Sequence, residues 1–285
     1  MDSRFTLEKR IAAELKSYDG HMGFYADDLK GNTIAINQDE DFETASTIKT
    51  YILACLFDQI EQKKASLEDI LTYEPQHMVS GSGLVHSMDI GMKLRVKDAA
   101  TLMIIVSDNT ATNMLIEYLG LDTINACIQK LGCTSTCLHR TLHFDSEGLG
   151  RLGTSTPRDY ASIFIRLTQG TLISPEADAA MIEILKKQHY NSMIVRDFPI
   201  YYMDGEDTGE EASIQVASKS GSMDECRNDG GIVFTPYGPY VIVMMHKNFS
   251  DPMYYSDHPA TRFGARVSRM MLDQYLALEG RFVLS

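Results

Sequence analysis

Strand patterns sit at the two ends of this 285-residue chain with a long helical pattern between them, and few folds accommodate that order. His21 to Ala26 and Thr33 to Asn37 read as strands joined by a turn at Leu29-Lys30-Gly31-Asn32. Strand signals return only at Ser213 to Lys219, Gly231 to Thr235 and Tyr240 to Lys247, with Pro236-Tyr237-Gly238-Pro239 turning between the last two. From Thr47 to Leu185 the apolar spacing is mostly helical, broken at Gly81-Ser82-Gly83, Gly120, Gly132 and Gly148 to Gly153. Phe5, Ile11, Ala12 and Leu15 add a helical stripe before Tyr18-Asp19-Gly20, and a last helix is predicted from Pro259 to Leu278. Strands at both ends imply that the termini build one sheet and that the middle is an inserted helical lobe. The expected architecture is α/β plus all-α: an antiparallel sheet flanked by terminal helices. Residues 1–45 and 205–285 form the sheet lobe, residues 46–204 the helical lobe, and the two make one structural unit. Ligand sites favour the seam between such lobes.

Three short patterns fall at element boundaries near that seam: Ser46-Thr47-Ile48-Lys49, Ser107-Asp108-Asn109 and Lys219-Ser220-Gly221. Each alone has a plain structural use, as a helix cap, a polar turn or a strand end. Together, in this order, they form a joint signal. A serine hydroxyl is a poor nucleophile at neutral pH until a neighbouring base takes its proton. Residues three apart share a helix face, so Ser46 and Lys49 are expected to set hydroxyl and amine side by side. Backbone N–H groups at the helix start favour the negative charge that develops there. Lys49 has to be neutral to act as a base, and burial near a second cation lowers a lysine pKa toward neutrality.

On these motifs the chain resembles the penicillin-recognising serine hydrolases, and class A β-lactamases most closely within them. The likeness extends through Phe42-Glu43-Thr44-Ala45, Met103 to Asn113, Thr154-Ser155-Thr156-Pro157 and Asn228 to Val233, covering the chain from about Gly23 to its last helix. It implies a β-lactamase/transpeptidase-like fold and an acyl-enzyme formed on Ser46 from a β-lactam or a related amide or ester. By the same resemblance Lys49 is the base, Ser107 relays a proton to the leaving nitrogen, and Asn109 bonds a substrate amide and Lys49. Lys219 and Ser220 are expected to hold a substrate carboxylate through charge-assisted hydrogen bonds. Gly221 leaves room for the acyl group, and the N–H groups of Ser46 and Ser222 form the oxyanion site. Arg227 is expected to add a second cation for the carboxylate. No cofactor is implied.

One departure stands out. Class A β-lactamases carry a loop glutamate that activates the water breaking the acyl-enzyme. Here the stretch reads Arg140-Thr141-Leu142-His143-Phe144-Asp145-Ser146-Glu147, followed by Gly148 to Gly153. Arg140 matches the family's loop arginine, Leu142 falls where the glutamate should be, and Gly153 replaces an acidic residue. Asp145 and Glu147 are the nearby carboxylates that could substitute as base. Deacylation is therefore expected to be slow, and three readings stay open: a β-lactamase, a D-alanyl peptidase or esterase, and a β-lactam-binding protein without turnover.

A net charge of −13 argues against nucleic-acid binding and docking on anionic lipid. No apolar run marks a signal peptide or membrane span, so the chain reads as cytoplasmic, although a form trimmed of its leader would read the same. The expected partner is a small-molecule substrate with a carboxylate; the sequence gives no oligomeric state. Five cysteines, an odd count, fit reduced thiols. Cys133, Cys137, His139 and His143 carry zinc-binding side chains, but their spacing fits no metal signature, and no metal site is expected.

Overall fold

The computed structural model describes residues 3–143, 151–203 and 212–283. Its first half runs α1 (Ser3–Leu15), β1 (His21–Asp27), β2 (Thr33–Ile36), β3 (Phe42–Glu43), α2 (Ile48–Glu61), β4 (Ile70–Thr72), β5 (Lys93–Arg95), α3 (Val96–Ile105), α4 (Asn109–Leu119) and α5 (Leu121–Lys130). There follow β6 (Cys137–Leu138), β7 (Gly153–Ser155), α6 (Pro157–Gln169), α7 (Pro175–Leu185), α8 (Ile200–Met203), β8 (Gln215–Ser218), β9 (Gly221–Met223), β10 (Cys226–Thr235), β11 (Gly238–Lys247) and α9 (Pro259–Ala277). The termini do build one antiparallel sheet, ordered β2-β1-β11-β10-β8, with β9 also on β10. β1 lies along β11 from His21 opposite Lys247 to Asp27 opposite Val241.

β11 shows how one strand serves two layers. Side chains alternate across a strand, and both faces are covered here. Val241, Val243 and Met245 join the core of the inserted helices. Tyr240, Ile242 and Met244 pack instead with Leu7, Phe263, Val267 and Met271 of the terminal helices. A strand buried on both faces reads as a continuous apolar run, which is why its pattern was plain. α2 is the spine of the helical lobe, buried from Ile48 to Asp58. A helix apolar on every side has to sit inside its domain.

Two expectations change. β10 begins at Cys226, five residues ahead of the strand signal at Gly231, because Arg227-Asn228-Asp229-Gly230 also pairs with β11, ahead of the apolar run that marked the strand. α6 lies within residues 46–204 yet packs on the sheet, with the Tyr160 ring so close to Gly230 that a Cβ there would stand 2.5 Å from it. The inserted segment therefore shares its core with the sheet. All five cysteines are free. Among the described residues no helix is long and apolar enough to cross a membrane.

Candidate active site

β3 leads into a single 3₁₀ turn, Ala45–Thr47, that runs straight into α2. Ala45 holds φ at +44°, a left-handed conformation that costs a residue with a Cβ and persists only when its surroundings hold it. Those surroundings are visible. Asn228 Nδ2 donates to Glu43 O at 2.7 Å and Thr44 O at 3.2 Å. Gly221 lies flat against the turn: a Cβ there would stand 2.7 Å from the Ser46 nitrogen and 2.6 Å from that of Thr47. The glycine thus lets β9, the strand carrying Ser222, cross the nucleophile turn. That close approach, rather than space for a substrate, is what the structure requires of Gly221.

Ser46 is partly exposed at the head of α2, while Lys49, one turn on, is fully buried. The amine does not bond to Ser46. Its nitrogen reaches Ser107 O at 2.8 Å, Ser107 Oγ at 3.0 Å and Asn109 Oδ1 at 2.8 Å. The expected Ser46–Lys49 pair is corrected in this respect: the shared helix face holds, but the long side chain extends to the α3–α4 turn. Burial first, and the charge of Lys219 second, hold the Lys49 pKa well below the ordinary lysine value. A neutral amine has a lone pair to accept a proton.

Ser107 is the hub. It too has positive φ, +52°, and Lys219 Nζ stands 3.2 Å from its Oγ, so both lysines converge on one hydroxyl. Asp108 builds the turn around it. One carboxylate oxygen caps α4 at Ala111 N, and the other accepts from Leu84 N at 2.6 Å and Val85 N at 2.9 Å. Asn109 is fixed by its own N–H to Ser82 O and its Nδ2 to Ser80 O, both at 3.0 Å.

Lys219 and Ser220 occupy the break between β8 and β9. Lys219 is fully buried, its carbonyl accepting from the Tyr160 hydroxyl at 2.7 Å and its amine bonding Ser220 O at 2.7 Å. Desolvation lowers its pKa to about 7. Asp229, invisible as a site residue in the sequence, is the buried counter-charge; desolvation lifts its carboxyl to about 7 while Ile194 N–H and Gly230 N–H bond to it. Arg227 does not join this cluster. Its guanidinium is taken up elsewhere, by the carbonyls of Met223, Cys226, Pro252 and Met253 and against the rings of Phe249 and Tyr254. It is a buried support for the residues after β11, and its expected role as a second cation for substrate is withdrawn.

A serine at a strained turn, a buried low-pKa lysine and a second lysine on one shared hydroxyl form a nucleophilic centre. The sequence profile of the beta-lactamase enzyme family matches residues 6–275. The chain belongs to that family. A beta-lactamase of Bacillus amyloliquefaciens is 28% identical over 269 residues, 90% of this chain and 81% of that protein. The crystal structure of a beta-lactamase from Sphaerobacter thermophilus superposes with a TM-score of 0.83 at 29% identity, covering 95% of this chain and 97% of that one. PBP-A, solved as a leucine-to-glutamate mutant in its acyl-enzyme complex with penicillin G, gives 0.81 at 25% identity, covering 96% and 97%.

In this member of the beta-lactamase family the start of the loop after β6 is held at defined atoms. Leu142 is buried and clasped by one amide: Asn113 Oδ1 accepts from its N–H and Asn113 Nδ2 donates to its carbonyl, both at 2.8 Å. Asn113 lies four residues after Asn109, on the same face of α4. It holds the backbone of position 142 whatever its side chain. Asp145 and Glu147 lie outside the described residues. Glu43 Oε1 accepts from Ala45 N at 3.0 Å and from Leu152 N and Gly153 N at 3.2 Å, with Arg151 Nε 3.9 Å from Oε2. Gly153 could hold no side chain, since a Cβ would meet Thr44 Oγ1 at 2.7 Å and Cys137 O at 2.9 Å. Glu43→Ala leaves three backbone N–H groups without that acceptor. It is expected to lower stability by about 2–4 kcal/mol in a urea titration.

The zinc-type residues stay apart. Cys133 Sγ bonds within α6 and His139 Nε2 meets Thr154 Oγ1 at 2.8 Å. Among the described residues no three His, Cys, Asp or Glu side chains gather as a metal site.

Proposed function

We propose that this enzyme acylates at Ser46 on β-lactams and releases the acyl group slowly. Ser46 Oγ attacks the lactam carbonyl carbon as its proton passes to Lys49. The N–H groups of Ser46 and Ser222 receive the oxyanion. Collapse breaks the C–N bond, and the proton passes from Lys49 through Ser107 Oγ to the departing nitrogen. Lys49, Ser107 and Lys219 are spaced for that relay, at 3.0 and 3.2 Å.

Leu142 carries the second half of the reading. By the sequence resemblance Leu142 falls where a class A enzyme has its water-activating carboxylate, and a leucine cannot accept a proton; the Asn113 clasp on its backbone supports this reading. PBP-A, whose leucine-to-glutamate mutant is solved as an acyl-enzyme with penicillin G, supports the acylation half of the reading. The test is intact-protein mass spectrometry after penicillin treatment. One adduct should form and persist, and it should vanish in Ser46→Ala; an adduct surviving that change would remove Ser46 from its role. The same missing base suits a D-alanyl peptidase or esterase, and turnover of nitrocefin beside a small ester and a D-alanyl peptide separates those readings.

A further inference from the structure

Gln188, three residues beyond α7, is buried and takes no part in the reaction above. His189 N–H, bonded to Ile105 O at 2.9 Å, ties this segment to the end of α3 beside Ser107. The Gln188 amide spans the strand break that carries Lys219. Nε2 donates to Ser218 Oγ at 2.7 Å, and Oε1 accepts from Ser220 N–H at 3.1 Å and Ser220 Oγ at 2.9 Å. The network fixes which way the amide points. A backbone N–H can only donate, so the atom facing Ser220 is the oxygen. A serine hydroxyl has a single hydrogen, and Ser220 has given it to Gln188.

We propose that Gln188 is a specificity-determining residue that withholds the Ser220 proton, disfavouring a free carboxylate at this subsite and favouring a neutral ester or amide group. The proposal rests on the acyl-enzyme reading and names the substrate class within it. The subsite's other donors point the same way. Arg227 is engaged with the carbonyls of Pro252 and Met253, and the Lys219 amine is already bonded to Ser220 O and Ser107 Oγ. With its pKa near 7, Lys219 supplies only part of a positive charge at neutral pH. A carboxylate arriving here meets the lone pairs of Ser220 Oγ and has to displace Gln188 to gain the hydrogen. A neutral group has no such requirement.

The experiment compares a β-lactam bearing a free carboxylate with its methyl ester, reading the rate of Ser46 acylation by intact-protein mass spectrometry. Gln188→Met keeps the length of the side chain and frees the Ser220 hydroxyl. It is expected to raise the acid-to-ester rate ratio about 10- to 100-fold, the scale of one hydrogen bond to a charged group. Gln188→Glu, which keeps the shape and the acceptor but adds a charge, should lower the ratio. A ratio unmoved or lowered by Gln188→Met overturns the proposal and makes Gln188 a support of Ser220 rather than a restraint on it. Failure of both compounds to label Ser46 in the unaltered enzyme removes the acyl-enzyme reading, and this proposal with it. Adducts with an unmoved ratio remove this proposal alone.

Discussion

Leu142→Glu should speed release of the acyl group from Ser46 by about two to four powers of ten, the range attributed to a positioned general base. At about 1.4 kcal/mol per tenfold, that lowers the deacylation barrier by roughly 3–6 kcal/mol. The grounds are structural. Asn113 holds both the N–H and the carbonyl of Leu142, so the substitution changes a side chain on a backbone already clasped in place. The unaltered enzyme should show a burst equal to its concentration followed by a low steady rate with nitrocefin, and the variant should turn the burst into sustained hydrolysis. Stopped-flow traces give both phases at once. If the unaltered enzyme already turns over quickly, and continues to do so in Asp145→Asn and Glu147→Gln, water is activated elsewhere and slow release is wrong. Lys49 would then be the first group to examine.

Lys49→Ala should lower the rate of acylation by at least about a hundredfold, again the scale of a lost base. Its pH profile carries more information than the size of the loss. Only the neutral amine accepts the Ser46 proton, and its fraction rises with pH through the Lys49 pKa. Burial and the nearby Lys219 depress that pKa. The acid limb of the rate profile in the unaltered enzyme should therefore lie well below the ordinary lysine range, and acylation should be near its plateau before alkaline pH is reached. Lys49→Ala should lose that limb along with the rate. A limb that persists unchanged in the variant assigns the titration to another group, and Lys219 and Asp229, both near 7, are the neighbours that titrate there.

The parts legible in the sequence were those carried by local order. Terminal strands, helical middle, and the triplets at Ser46, Ser107 and Lys219 all depend on residues close together in the chain. What escaped was decided by partners far away. Asp229 lies ahead of the apolar run that marked its strand and had no assigned role, yet a ladder with β11 buries it as the counter-charge of Lys219. Gln188 is an unremarked polar residue after a helix until the break at Lys219 folds against it. Glu43 stood beside Ser46 with no assigned part, and no local pattern tells that it holds the backbone of Leu152 and Gly153, more than a hundred positions later. Arg227 was misplaced for the same reason. Its type suits a carboxylate, but the carbonyls of Pro252 and Met253, beyond β11, take up its guanidinium, and nothing near it in the chain announces them.

The pairing of β1 with β11 has a consequence for how the chain comes to be active. β1 and β2 can form only a two-stranded hairpin at first, and such a hairpin is marginal in water alone. Their central partner is synthesised after all of the helices from α2 to α8. Contacts so distant in sequence make assembly slow, because the loop has to close before the strands gain from meeting. Ser46 and Lys219 stand on opposite sides of that closure, one contributed before the helical lobe and one after it. A chain still waiting for β11 has its serine and no second lysine on Ser107. Covalent labelling of Ser46 during refolding thus becomes a clock for the last long-range step, and reactivity should appear with the completed sheet rather than with the helices.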